Sequence, residues 1–232
     1  MLDEALKNRP RVRNPYPDPQ MQRRMALRRV PEPPIDMLAV KGDGYSAGLA
    51  RNAMKTLYDT WTLVREAARN PETDLRELTR LGDAALMKGT RSADQASERI
   101  VRQIAEFDAK IKAAIEPPIT PQLATELRAL VREDPARATV LAREDARFAG
   151  AILSGPAALS GLDADKISAV RNAAMLAHAP DQTTQKSEAE RALAALHKAG
   201  SRTAAEIGNK LASWSAGVPE ELGKLKEAAR GT

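Results

Sequence analysis

Two long segments of this sequence carry apolar residues at alternating steps of four and three, and this spacing constrains the fold more than any other feature. Such steps place side chains along one face of an α-helix and are typical of helices that pack side by side. We therefore predict a long helical hairpin, with two antiparallel helices, over residues 45–116. The first series is Ala50, Met54, Leu57, Trp61, Val64 and Ala68, and the second is Ala93 or Ala96, Ile100, Ile104, Phe107, Ile111 and Ala114.

Helix breakers divide this region further. Asn70-Pro71 is expected to end the first helix, and a shorter helix is expected from about Glu72 to Met87, before Gly89. Ser92 is of a type that often caps a helix N-terminus, so the second long helix is predicted to begin there.

The region from residue 117 to residue 232 is predicted to hold several helices. Thr120-Pro121 and Asp134-Pro135 each place a proline at the first helical position, where its missing N–H costs nothing. Asp163 or Asp165 is expected to start a helix that ends before Pro180. The remaining predicted boundaries are a capping box at Ser187 and Glu190, a stop at Gly200, and a final short helix that opens at Pro219.

The predicted fold class is all-α, because no useful stretch of the sequence alternates apolar and polar residues as a strand does. Aromatic residues make up 3% of the chain, and much of its 43% hydrophobic content is alanine. Alanine favours helices but buries little area. We expect extended or loosely bundled antiparallel helices around a thin core, with no sheet.

Residues 1–44 differ in composition and are predicted to form an extended basic arm. They contain seven of the 15 prolines, which remove backbone donors and favour extended geometry. Eight basic residues and one acid lie between Lys7 and Arg29, a local charge of +7, whereas the rest of the chain is close to neutral. Only the range 19–30 offers a short helix.

This arm is the predicted partner-binding site. Arginines on an extended segment can lie along phosphates or pair with carboxylates on an acidic protein surface. A segment with so little apolar content is expected to need another surface to hold it, supplied by a neighbouring copy or another subunit. The alternative is a solvated tail. The residues predicted to bind the partner are Arg9, Arg11, Arg13, Tyr16, Arg23, Arg24, Arg28 and Arg29.

The sequence favours no catalytic, cofactor or metal site. The chain has no Cys, which excludes thiolate zinc sites, thiol nucleophiles and disulfides. His178 and His197 lie on different predicted helices without metal-ligand spacing, and we interpret them as surface or capping residues. Gly42, Gly44 and Gly48 follow no strand and precede no Gly-Lys-Ser/Thr, so a hinge is favoured over a phosphate loop.

One segment leaves a nucleic-acid alternative open. Leu159-Ser160-Gly161-Leu162 is similar to the hairpin of helix-hairpin-helix DNA-binding modules. Asp163 stands where that family has its second glycine, and its charge would oppose a phosphate.

Two features bear on localisation. The first residues, Met1 to Glu4, include two acids where a signal peptide has a basic stretch, so secretion by that route is not expected. The uncharged stretch 148–162 is too short to span a membrane as a helix, and it is predicted to be a buried helix followed by a turn. A virion or the cytoplasm is the expected location.

In general style the chain resembles small helical virion proteins of tailed bacteriophages. The similarity lies in the extended arm, the Ala-rich helices, the absence of Cys, and Leu159-Ser160-Gly161-Leu162-Asp163 leading into a helix that ends at Ala179-Pro180. It implies a portal-associated, head-to-tail or ejected internal protein, repeated around a ring and held by arm exchange.

Three functional hypotheses follow from the sequence. The first is a non-enzymatic structural subunit whose residues 1–40 clasp a neighbour. The second is a nucleic-acid-binding protein, associated with packaging, that uses the basic arm on phosphates. The third and least supported is a helical enzyme.

Overall fold

The computed structural model describes residues 19–34 and 38–230, in which every regular element is a helix and no strand occurs. The all-α prediction is confirmed. Eight α-helices follow one another, with short 3-10 helices at Pro135–Arg137 and Ala157–Leu159. They are α1 (Pro19–Arg28), α2 (Tyr45–Arg69), α3 (Leu75–Ile115), α4 (Pro121–Glu133), α5 (Ala138–Glu144), α6 (Ala146–Leu153), α7 (Ala164–His178) and α8 (Pro180–Arg230).

The predicted hairpin is formed by α2 and α3, and the first apolar series is buried along its whole length. α2 ends at Arg69, with Asn70 as its C-cap, as the Asn-Pro pair predicted. In the second series, Ala96, Ile100, Phe107 and Ile111 are buried, and Ala93, Ile104 and Ala114 pack against the cores at partial exposure. Side chains three and four residues apart thus form the contact face of both helices.

The break predicted near Gly89 is wrong, because α3 runs without interruption from Leu75 to Ile115. Asp74 caps this helix by accepting a hydrogen bond from the Glu77 amide at 2.6 Å, so Ser92 is an interior residue. A Cβ on Gly89 would lie 3.0 Å from Leu57 Cδ2 and 3.2 Å from Thr60 Oγ1. Gly89 therefore lets α2 approach α3 closely.

The boundaries predicted at Ser187, Gly200 and Pro219 are also wrong, since α8 continues through all three. Its 51 residues span about 76 Å at 1.5 Å per residue. α8 runs antiparallel to α3: Lys186 Nζ meets Asp108 Oδ1 at 2.6 Å, and His197 Nε2 lies 2.9 Å from Ser97 Oγ. Because α3 packs against this helix from Lys186 to Gly217, single glycines within that range do not end it.

Two glycines inside α8, Gly200 and Gly208, offer a test of how much a glycine costs this helix. Apart from the neighbouring residues and the backbone of α8 itself, no atom lies within 4 Å of a Cβ built on Gly200 or on Gly208. We expect Gly200→Ala and Gly208→Ala each to stabilise the fold by about 0.5–1 kcal/mol, since alanine loses less backbone entropy in a helix. Gly82→Ala is the matched control, because its Cβ would lie 2.6 Å from Leu211 Cδ2, and we expect no such gain. Urea unfolding measures all three, and destabilisation by both α8 substitutions would contradict the prediction.

A second group of helices, α4 to α7, packs around the C-terminal end of α3. Two predicted caps are confirmed: Thr120 accepts from the Leu123 amide at 3.3 Å, and Asp163 accepts from the Lys166 amide at 2.8 Å. Asp134 makes no side-chain cap, and the chain there forms a 3-10 helix before α5. The predicted buried helix within residues 148–162 is the end of α6.

The buried residues fall into two main cores that cross the boundary drawn from the sequence at residue 117. The first core combines α2, the part of α3 from Leu75 to Phe107, and α8. The second combines the end of α3 with helices from α4 to α7. The region 117–232 therefore contributes to both cores. Helices α4 to α7 pack on the end of α3, whereas α8 packs on the hairpin of α2 and α3.

Asp145 separates α5 from α6, and its ionisation supports the start of α6. Its carboxylate accepts from the Arg147 side chain at Nε (2.8 Å) and from the Arg147 amide (2.8 Å). The guanidinium, and then the amide, hold the pKa of Asp145 below its ordinary value of 3.8. A lowered carboxyl pKa contributes stability that is present above the ordinary value and is lost as the pH falls through the folded-state pKa.

We therefore expect Asp145→Ala to cost about 0.5–1 kcal/mol at neutral pH, a typical cost for the loss of an N-cap hydrogen bond at a half-buried site. Asp145→Asn keeps an acceptor for the amide and should cost less. Both variants should lose less stability than the unmodified chain when the pH falls from about 5 to below 3. Chemical unfolding across this range measures the effect, and an unchanged acid slope would contradict it.

Candidate partner interface

The segment that begins at the last two residues of α1 lies against the helices of the first core. Its described residues, 27–34 and 38–42, are called the strap here. Two buried tryptophans hold its first part. Trp61 of α2 donates its indole N–H to the carbonyl of Pro31 at 2.9 Å, and Trp214 of α8 donates to the carbonyl of Leu27 at 3.0 Å. Both indoles are at most 1% exposed. The strap therefore supplies acceptors that two deeply buried donors require.

Apolar contact accompanies these hydrogen bonds. Val30 is 8% exposed and belongs to the first core, and Val40 packs against that core at partial exposure. Pro33 is buried as well. The strap is thus part of the folded body, so the expectation that another molecule must hold the first forty residues is corrected for this part of the arm.

Charged side chains fasten the strap at both ends. Arg28 donates from Nη1 to the carbonyl of Asn70 at 2.7 Å and from Nη2 to the carbonyl of Thr73, in the turn between α2 and α3. Glu32 pairs with Arg65 of α2. Hydrogen bonds from a charged donor are stronger than neutral ones, and these two arginine contacts fix the beginning of the strap beside α2.

At the other end, Arg51 of α2 donates from Nη1 to the carbonyls of Val40, at 3.4 Å, and of Gly42. Gly42 has a φ of +106°, a backbone conformation that side chains rarely tolerate. The glycine hinge predicted before α2 therefore coincides with a real turn of the chain.

The predicted partner-binding residues fall into three groups. Arg9, Arg11, Arg13 and Tyr16 lie outside the described residues. Arg23 and Arg24 lie on α1, but their side chains are outside the described part. Arg28 is bound within the chain, whereas Arg29 is exposed.

The two tryptophans hold the strap through their indole N–H groups, and this role was not predicted from the sequence. The sequence pattern predicts that Trp61 and Trp214 lie on apolar helix faces, but it does not identify an acceptor for either indole N–H. A buried indole needs an acceptor. The chain has only two Trp in 232 residues. The need of each for an acceptor is the sequence signal that could have pointed to a segment covering them.

A Ser–His pair lies in a cleft of about 260 Å³ between α3 and α8. Ser97 Oγ and His197 Nε2 are 2.9 Å apart, and Asp94 lines the same cleft. A catalytic nucleophile and its general base must lie within hydrogen-bond distance of each other, as these two atoms do. However, Ser97 lies in the interior of α3, where its own amide is engaged in the helix and supplies no donor to an oxyanion. The observed contact links α3 to α8.

The remaining candidate sites have structural explanations. His178 Nε2 lies 2.8 Å from the Ala142 carbonyl, to which it donates, and so ties α7 to α5. Among the side chains that the structure describes, no group of three or more His, Asp or Glu is placed to hold a metal ion. No described helix is long and apolar enough to cross a membrane.

The 159–163 segment forms a tight turn before α7. Gly161 has a φ of +68°, and Arg132 donates from Nε to the Leu159 carbonyl at 2.9 Å. The carboxylate of Asp163 already accepts from the Lys166 amide at the start of α7. A phosphate would meet this negative charge, so the geometry gives the helix-hairpin-helix alternative no support.

Comparison of the chain with protein-family models, with curated proteins and with solved structures found no match.

Proposed function

We propose that the chain is a non-enzymatic structural subunit of a larger assembly. Its helical body supplies packing surface, and the part of the arm before the strap contacts neighbouring subunits. The particle of a tailed bacteriophage is the setting that the resemblance implies.

The attachment of the strap carries this proposal. Because Arg28, Trp61 and Trp214 fix residues 27–31 to the body, the preceding segment leaves from one defined place beside the turn at residues 70–73. Anchoring a segment at its root lowers the entropy lost when the rest of it binds. Such an arrangement suits an arm that reaches a neighbour held at a fixed position.

The charge distribution supports the same role. Residues 1–29 contain eight of the 36 Lys and Arg and three of the 31 Asp and Glu, so the other 203 residues carry 28 of each. The whole net charge of +5 therefore lies in the arm. The guanidinium groups of Arg9, Arg11, Arg13, Arg23, Arg24 and Arg29 are the proposed contacts to acidic groups of the partner.

The test is the native mass of the assembly when arm charges are removed. Replacing Lys7, Arg9, Arg11 and Arg13 by Gln should abolish assembly and leave the thermal midpoint unchanged, since these residues precede the strap. Four exposed arginines of the body form a matched control, which should assemble normally: Arg99, Arg102, Arg143 and Arg171. Normal assembly of the arm variant would overturn the proposal.

A nucleic-acid partner is the second candidate, favoured by the concentration of all net charge in the arm. Contacts to phosphates would make the logarithm of the binding constant fall linearly with the logarithm of salt concentration, with a slope of about −0.9 for each phosphate neutralised. Titration of duplex DNA between about 50 and 200 mM salt measures this slope. Absent or salt-insensitive binding would exclude this candidate.

A further inference from the structure

The cleft between α3 and α8 that contains Ser97 and His197 lies away from the strap. The strap contacts α2 and α8 through Trp61 and Trp214, whereas the cleft has α3 on one side and no described strap residue lines it. Small residues at facing positions of the two helices leave space between them. They are Ala93 and Ser97 of α3, and Gly200, Ser201 and Ala204 of α8. The first core is therefore accessible to a ligand at this place.

The floor of the cleft is apolar. Leu57 and Leu196 are each 1% exposed, and Leu86 packs against the same core. The cleft has a volume of about 260 Å³, and an apolar cavity of about 150 Å³ already accommodates benzene. The leucine floor therefore has room for a phenyl ring or a short alkyl chain.

The mouth of the cleft has one carboxylate, that of Asp94. This side chain is exposed and forms no ion pair with the described side chains. Asp94 also lines a wider depression beside the cleft, but the two cations of that depression, Lys88 and Arg91, do not line the cleft itself. Ser97 Oγ, which lies 2.9 Å from His197 Nε2, keeps a lone pair for a second donor. The mouth thus offers acceptors and a negative charge, which suit a cationic donor.

We propose that this cleft binds a small primary amine, with its apolar group on the leucine floor and its ammonium group beside Asp94 and Ser97. An ammonium ion has three donors and no acceptor, so it can bond to the carboxylate and the hydroxyl together. Burial of the apolar group supplies the rest of the affinity. Because the ligand is small and the cleft is open on one side, we expect a dissociation constant of about 1 mM. The site is separate from the arm and the strap, so binding requires no assembly.

The probe is phenethylamine, titrated into the whole chain and followed by two-dimensional amide NMR. We expect saturable shifts at the amides of residues 90–97 and 197–204. Phenethyl alcohol has the same ring without the charge and should bind about 3–10-fold more weakly, and the anion phenylacetate should bind more weakly still. Absence of saturable shifts at these amides up to about 10 mM amine would overturn the site. Equal affinities for the three compounds would overturn the ligand class.

A substitution at Gly200 blocks the cleft directly. Gly200 lines the cleft, and a Cβ there has open space, so the side chain of Gly200→Leu should occupy the ligand's place and weaken phenethylamine binding by at least about tenfold. Gly208→Leu is the matched control, because it makes the same change in the same helix, with equally open space outside the cleft. Its affinity should stay within about twofold of the unmodified chain. The thermal midpoint shows that both variants fold.

Asp94→Asn tests the carboxylate separately. It should lower the affinity for phenethylamine by about 3–10-fold, to that of phenethyl alcohol. Glu106→Gln removes an exposed carboxylate of α3 outside the cleft and should leave the affinity unchanged. Unchanged amine binding in Asp94→Asn, or equal losses in Gly200→Leu and Gly208→Leu, would overturn the proposal.

Discussion

Deletion of residues 1–34 should lower the free energy of unfolding by about 3–5 kcal/mol. The deletion removes the buried side chains of Val30 and Pro33, the acceptors of Trp61 and Trp214, and the contacts of Arg28 to the turn at residues 70–73. Each buried apolar side chain contributes about 1.5–3 kcal/mol, and each hydrogen bond about 0.5–1.5 kcal/mol. For a chain of this size the thermal midpoint should fall by at least about 6 °C.

Deletion of residues 1–18 is the matched control for this experiment. It removes Arg9, Arg11 and Arg13 but no part of the strap, so the midpoint should stay within about 1 °C of the full chain. Circular dichroism at 222 nm during heating measures both deletions. Equal midpoints for the two would show that the strap adds nothing to stability.

Trp214→Ala should be among the most damaging single substitutions, costing about 3–5 kcal/mol. Trp214 of α8 is fully buried against α3 and the strap, with its Cζ3 atom 3.3 Å from the position of a Cβ on Gly82. Because total stability is usually about 5–15 kcal/mol, this variant should be close to the limit of folding. Urea unfolding measures the loss.

Trp214→Phe separates the hydrogen bond from the packing. It keeps most of the ring but removes the N–H that reaches the Leu27 carbonyl, and we expect a cost of about 1–2 kcal/mol. In the chain that lacks residues 1–34 the same substitution should cost less, because the acceptor is already missing. An equal cost in both backgrounds would contradict the coupling between Trp214 and the strap.

The helical class and the faces of α2 and α3 could be predicted from the sequence because they depend on local periodicity. The series from Ala50 to Ala68 repeats with the period of the helix itself. Asn70 and Thr120 were identified for the same reason, since caps and stops act on the nearest few amides. These features require no knowledge of the rest of the fold.

The interior glycines were misinterpreted because their effect depends on distant residues. A glycine costs a helix about 1 kcal/mol, which favours a break when the segment is considered alone. At Gly89 the close approach of Leu57 compensates for this cost, and at Gly200 the contacts of α8 with α3 maintain the helix. Tertiary packing therefore decided these boundaries.

The attachment of the strap was not predictable from composition. Seven prolines, and eight basic residues between Lys7 and Arg29, distinguish residues 1–44 from the rest of the chain in composition. Its anchor, however, consists of backbone carbonyls, which every sequence has, facing Trp61 and Trp214. Residues 187 positions apart meet there, and no local pattern reports such a contact.

The hydrogen bond between Trp214 and Leu27 also constrains how the chain folds during its synthesis. Leu27 leaves the ribosome before its partner Trp214, which is made 187 residues later. At about 5–20 residues per second this delay is roughly 10–40 s. During that interval the nascent chain presents Val30 and Trp61 without their final cover, so the protein should be more vulnerable to aggregation and proteolysis before α8 emerges.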